Sequence, residues 1–139
     1  MQPFAQCNWQ FLSHLGTTTN FEIKDGEGVY FMTLNLSENK LNAVKINNMN
    51  LVGDFNGWNA ADDAQQMKWN ATDFCFEITG AGVTAAGWKF RVNADWAINL
   101  GGATLDNLVA NGDNIFVAGD KVKLYPTRKT NDKIYCTVE

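Results

Sequence analysis

Three short stretches of this 139-residue chain hold the side chains best suited to chemistry. They are Gly53-Asp54-Phe55-Asn56-Gly57-Trp58, Trp88-Lys89-Phe90-Arg91-Val92-Asn93 and Asp95-Trp96-Ala97-Ile98-Asn99-Leu100-Gly101-Gly102. In the first, Asp, Asn and Gly follow an apolar run and favour a tight turn, so Trp58 is expected on a loop. In the second, strand alternation puts Trp88, Phe90 and Val92 on one face and Lys89, Arg91 and Asn93 on the other. The apolar face belongs to a core, which leaves two cations and an amide outside. In the third, Trp96 follows a turn expected at Ala94-Asp95 and has polar and glycine neighbours, making it the second candidate for an exposed indole.

Two indole planes with nearby Lys, Arg and Asn donors offer what a pyranose ring requires. Its C–H face packs on an aromatic plane and its hydroxyl rim pairs with cations and amides. Plainer readings stand beside this one. Trp58 and Trp96 could each anchor a loop, and Lys89 and Arg91 could form an ordinary solvated strand face. Trp88 reads as core from its alternation partners, Trp69 as core or boundary, and Trp9 is assigned no role.

Catalytic chemistry is poorly served. The single histidine, His14, lies in the least regular segment and reads as an ordinary surface or half-buried residue, and Asp62-Asp63, the only adjacent carboxylates, read as solvated turn residues. No second carboxylate can be named to complete a glycosidase pair. Cys7, Cys75 and Cys136 lack metal-ligand or CxxC spacing, so buried thiols are expected, with one disulfide as the alternative. The chain is therefore read as non-enzymatic, with no metal and no cofactor.

The formal net charge of −4 and the absence of a Lys/Arg run argue against nucleic acid or an anionic membrane as the partner. A neutral polysaccharide or oligosaccharide fits better, because affinity then rests on stacking and hydrogen bonds, weak per site and reinforced by repeated units. Five tryptophans stand out in a chain that is 45% hydrophobic and 19% charged, a composition expected to fold.

The elements that must position these residues are strands. Segments of period two recur at residues 20–24, 29–36, 41–46, 49–53, 74–79, 87–93, 114–118, 121–125 and 133–138, separated by Gly/Asn/Asp turns. Residues 60–69 are the one helix candidate, and a short one. The fold class expected is all-β, an Ig-like antiparallel β-sandwich. Residues 20–44 also align loosely with residues 114–137, each reading strand, Gly/Asp turn, strand, polar turn, strand. On that basis residues 1–47 are the closing strands of a preceding similar unit or pack onto the main domain, and residues 48–139 form the glycan-binding sandwich.

The Gly-Asp-Phe-Asn-Gly-Trp loop, the aromatic-Lys-Phe strand and the Asp-Trp hairpin resemble the starch- and glycogen-binding modules found beside amylolytic enzymes and in a kinase β-subunit. The run from Asp95 to Gly102, with Asn114-Ile-Phe-Val-Ala-Gly-Asp downstream, is similar to SusE/SusF-type outer-membrane lipoproteins of Bacteroidetes glycan-utilisation systems. The resemblance covers residues 49–120 well and the flanking hairpins loosely. It implies non-catalytic capture of starch or maltooligosaccharide at the cell surface, beside an outer-membrane glycan transporter complex. It also implies a platform made by Trp58, Lys89 and Trp96. Arg91 and Asn93 are carried by their place on the same strand, and Asn114 by its place at the start of the downstream strand. Cys7 has no apolar stretch before it, so a lipid anchor is implied by the family alone. The competing expectations are a spacer or partner-docking sandwich in the same complex, and a different neutral polysaccharide.

Overall fold

The computed structural model describes residues 25–59, 61–126 and 133–139. His14, Cys7, Trp9 and the strand expected at 20–24 lie outside them. The chain divides into two compact units between Ile46 and Asn47.

In the first unit, β1 (Tyr30–Asn35) and β2 (Lys40–Lys45) form an antiparallel hairpin in register from Tyr30 opposite Lys45 to Asn35 opposite Lys40. Its turn is tied by Asn35, whose Oδ1 accepts from the Ser37 and Glu38 backbone N–H groups and from the Ser37 hydroxyl. Such side-chain acceptors replace the backbone partners that a turn loses. The Tyr30 hydroxyl donates to the Gly26 carbonyl.

The second unit is an antiparallel β-sandwich, the architecture the alternating segments imply. One sheet has the order β3-β6-β7-β8, from β3 (Met49–Gly53), β6 (Trp88–Val92), β7 (Asp95–Gly101) and β8 (Val109–Ala110). The other has the order β10-β9-β5-β4, from β4 (Lys68–Asn70), β5 (Cys75–Val83), β9 (Gly119–Tyr125) and β10 (Tyr135–Val138). Met49, Leu51, Trp88, Phe90, Val92 and Leu100 from the first sheet are buried, as are Phe76, Val122, Leu124 and Cys136 from the second. These inward positions alternate along each strand as a two-layer core requires. Trp88 is fully buried, meets Phe90 edge to face at a centroid distance of 5.3 Å, and donates its indole N–H to the Val117 carbonyl. Trp69 takes the boundary position, half-buried and edge-on to Phe76. Cys75 and Cys136 are buried free thiols, and burial pushes the Cys136 pKa up to about 12.

The elements differ from expectation in three places. Residues 60–69 hold a 3-10 turn at Asp63–Gln65 and then β4, with no longer helix among the described residues. Residues 95–101 form a full strand, although read as a turn and its flank. Of residues 114–118, only Ile115 pairs, bridging to Trp88.

Candidate functional site

The loop after β3 is built to present Trp58. Gly53 has no room for a side chain, because a Cβ there would lie 2.6 Å from the Gly87 carbonyl oxygen. Asn56 then staples the turn: its Oδ1 accepts from the Gly53 N–H at 3.0 Å, and its Nδ2 donates to the Leu51 carbonyl and to Asp62 Oδ2 at 3.2 Å. Gly57 and Trp58 both take left-handed backbone, with φ of 63° and 59°. Glycine does this freely, whereas a tryptophan is strained by it, on the order of 1–2 kcal/mol. The Trp58 N–H donates back to the Gly53 carbonyl at 2.8 Å, which closes the loop. Asp62 serves here as a turn residue, capping Ala64 as well as holding Asn56.

Trp96 arrives from β7, on the other flank of β6. The β6–β7 hairpin turns through Asn93 and Ala94, with φ of 54° and 53°, and closes with Val92 opposite Asp95. Two central residues at positive φ make the type I′ geometry whose twist suits a two-residue hairpin. The turn thus falls one residue earlier than the sequence implied. It also removes Asn93 from the alternation that would have put it beside Lys89 and Arg91. Asn93 Oδ1 instead accepts from the backbone N–H groups of Asn47 and Asn48, at 2.8 and 3.2 Å. An irregularity in register between Arg91 and Val92 follows, and such bulges re-aim side chains.

As a result the two indoles meet. The Trp58 and Trp96 ring centroids are 6.2 Å apart with the planes tilted by 38°. Trp96 is 44% exposed and Trp58 half-buried. The Arg91 guanidinium carbon lies 3.9 Å from the Trp96 ring centroid. Arg91 is only 6% exposed, so it supports the platform and does not project into solvent as a strand-face cation would. Burial lowers its pKa, with Asp95 opposing that shift, and a guanidinium stays charged regardless.

Beneath the indoles runs a polar row across the sheet: Asn50 opposite Arg91, and Arg91 opposite Asn99. Asn99 Nδ2 donates to the Trp96 carbonyl at 3.1 Å and to Asn111 Oδ1 at 2.9 Å. Asn99 thereby ties the backbone of the exposed indole to the next chain segment. Nothing in the sequence marks Asn99 for this role, because its partners are set by which strand and turn it faces.

Lys89 lies one alternation step along β6 from Arg91, half-buried and opposite Val52, with its side chain against Gly101. A Cβ at Gly101 would come within 2.9 Å of Lys89 Cε and collide with the Asp113 carbonyl. Burial lowers the Lys89 pKa and Asp113 partly restores it. Asn114 is half-buried on the strand segment that bridges to Trp88, with its amide over Gly87. Trp58, Trp96 and Arg91 are therefore in direct contact, Lys89 and Asn114 share the same outer face by register, and Asn93 sits at the hairpin tip.

Asp73, in the turn before β5, and Cys75 and Glu77 on β5 form a further group, with ligand-type atoms within 4.8 Å of one another. Lys123 lies 3.5 Å from Asp73 and 3.7 Å from Glu77, so that charge is already met by an ion pair. Comparison of the sequence with protein-family models and with curated proteins finds no match.

Proposed function

We propose that the second unit is a non-catalytic carbohydrate-binding module for a neutral glycan, of which starch-type α-glucan is the first candidate. The observation that carries the reading is the tilted Trp58–Trp96 pair, neither ring buried, backed by Arg91. Two apolar planes at an angle form a bent surface for consecutive sugar rings, and Lys89 and Asn114 supply donors at its side. Burial of both indoles would have favoured the spacer reading. Capture at a bacterial cell surface, beside an outer-membrane glycan transporter and on a lipoprotein, is supported by the motif resemblance alone.

Isothermal titration with maltoheptaose, followed in parallel by tryptophan fluorescence, tests the reading. Heat release and a fluorescence change are expected. An absence of heat with maltoheptaose, together with an empty glycan array, would refute glycan binding. Binding of xylan or β-glucan in place of starch would keep the module and change its ligand.

A further inference from the structure

We infer that Phe116, with Asn114, forms a second contact for the same glycan chain, on the outer face beyond Lys89 from Trp96. This rests on the glycan reading above. Trp88 and Ile115 exchange both backbone hydrogen bonds, at 3.0 and 2.8 Å, and so stand directly opposite each other with both side chains buried. Alternation from that pair puts Asn114 across from Lys89, and Phe116 across from Gly87, on the outward side.

The spacing at Gly87 agrees. A Cβ there would lie 3.2 Å from Phe116 Cε1 and 3.4 Å from Asn114 Nδ2, so the ring and the amide both lie against that glycine. The Phe116 side chain is nevertheless 60% exposed. It borders an open groove shared with Ala103, Gly112, Asp113 and Asn114. Small residues leave that groove unobstructed, while an amide and a carboxylate provide a donor and acceptors for hydroxyls.

Asn114 and Phe116 of this groove lie on the same sheet face as Lys89 and Arg91. From Arg91, under Trp96, back to Gly87, against Phe116 and just before β6, is four residues, or about 13 Å at ~3.3 Å per residue, and the loop that leads to Trp58 starts beside Gly87, whose carbonyl accepts from the Asp54 N–H at 3.0 Å. Lys89 and Asn114 fall between. The strip thus runs from Trp96 past a polar centre to Phe116, and one sugar ring cannot cover it. A chain seated on the indoles extends over Lys89 and Asn114 and ends against Phe116. The Asp113 carboxylate at that end favours a neutral chain over an anionic one.

The bland alternative is that Phe116 only covers Gly87. Removal would then lower stability and leave ligand length without effect. Titration of the full chain with maltotriose and maltoheptaose separates the two. Phe116→Ala is expected to weaken maltoheptaose about tenfold and to leave maltotriose within about twofold, whereas Trp96→Ala weakens both. Phe116→Tyr, which keeps the plane, should bind as the parent does. Should Phe116→Ala not fold, Phe116→Leu keeps cover over Gly87 without a flat ring and is read in the same way. Unchanged binding of both sugars by a folded variant, or equal loss of both, overturns the inference and leaves the indole platform standing. If the parent chain binds neither sugar while a second glycan binds, the same length series on that glycan decides. If nothing binds, both readings fall together.

Discussion

Arg91 takes a full charge to a place where little water reaches, and that is costly unless a partner compensates. Trp96 is that partner on one side, because a guanidinium over an indole is worth roughly 0.5–2 kcal/mol, more when desolvated. The pair works in both directions: the ring stabilises the cation, and the cation holds the ring at a fixed tilt. Arg91→Ala should therefore weaken maltoheptaose about three- to thirtyfold by loosening Trp96, without removing any atom that touches sugar. Trp96→Ala removes the plane itself and should cost about 2 kcal/mol or more, some thirtyfold or greater. Calorimetry on both variants, with circular dichroism to verify folding, ranks the two roles. Equal affinity for parent and Arg91→Ala would remove Arg91 from the platform. Lys89 presents a different residue-scale case. Its folded pKa is depressed by burial, so between that value and the ordinary 10.5 the unfolded chain holds more protons. Stability then rises with pH across that window and gains nothing from this group below it. Urea melts of the parent and Lys89→Met from neutral pH upward should show a difference that narrows in the alkaline range. A constant difference would mean that Lys89 is solvated as an ordinary surface lysine.

At the scale of elements, the strands were readable wherever one face is apolar and the other polar. Residues 49–53, 87–93 and 121–125 are expected as strands and coincide with β3, β6 and most of β9, although β3 is buried along its whole length. β7 escaped notice because both its faces carry mixed residues: Trp96 and Asn99 serve the platform while Leu100 serves the core. The turn before it escaped for a related reason. Asn93 continues the alternation of Lys89 and Arg91 and so reads as strand, although asparagine takes left-handed backbone readily, and this places the expected turn one residue late at Ala94-Asp95. Burial of Arg91 was not legible at all, since a cation on an alternating strand is solvated by default and only the neighbouring strand brings an indole over it. The turn supports a stability prediction. Ala94 at φ 53° is strained, and glycine is not, although glycine also gains freedom in the unfolded chain. Ala94→Gly should accordingly stabilise the protein by about 0.5–1 kcal/mol, seen as a higher urea midpoint at unchanged slope. A lower midpoint would mean that the Ala94 methyl group makes packing contacts worth more than the relieved strain.

At the scale of the whole molecule, both four-stranded sheets draw their strands from Met49 onward, while β1 and β2 form a two-stranded sheet of their own. The residues of the platform, from Trp58 to Phe116, all belong to the second unit. An isolated two-stranded hairpin is marginal in water, whereas two sheets enclosing a common core reach the size at which a domain folds independently. Stability and binding should therefore belong to residues 47–139. That fragment is expected to unfold in one cooperative transition and to bind maltoheptaose with the affinity of the full chain. Denaturant melts and calorimetry on the two proteins side by side test this. A fragment that is molten or aggregates would show that residues 1–46 complete the sandwich, and the division between Ile46 and Asn47 would then be a boundary of packing density and not of folding. A folded fragment with weaker binding would instead place part of the glycan surface in the first unit. Full retention would make the second unit a module that can be repeated in tandem, where weak single sites add through effective concentration.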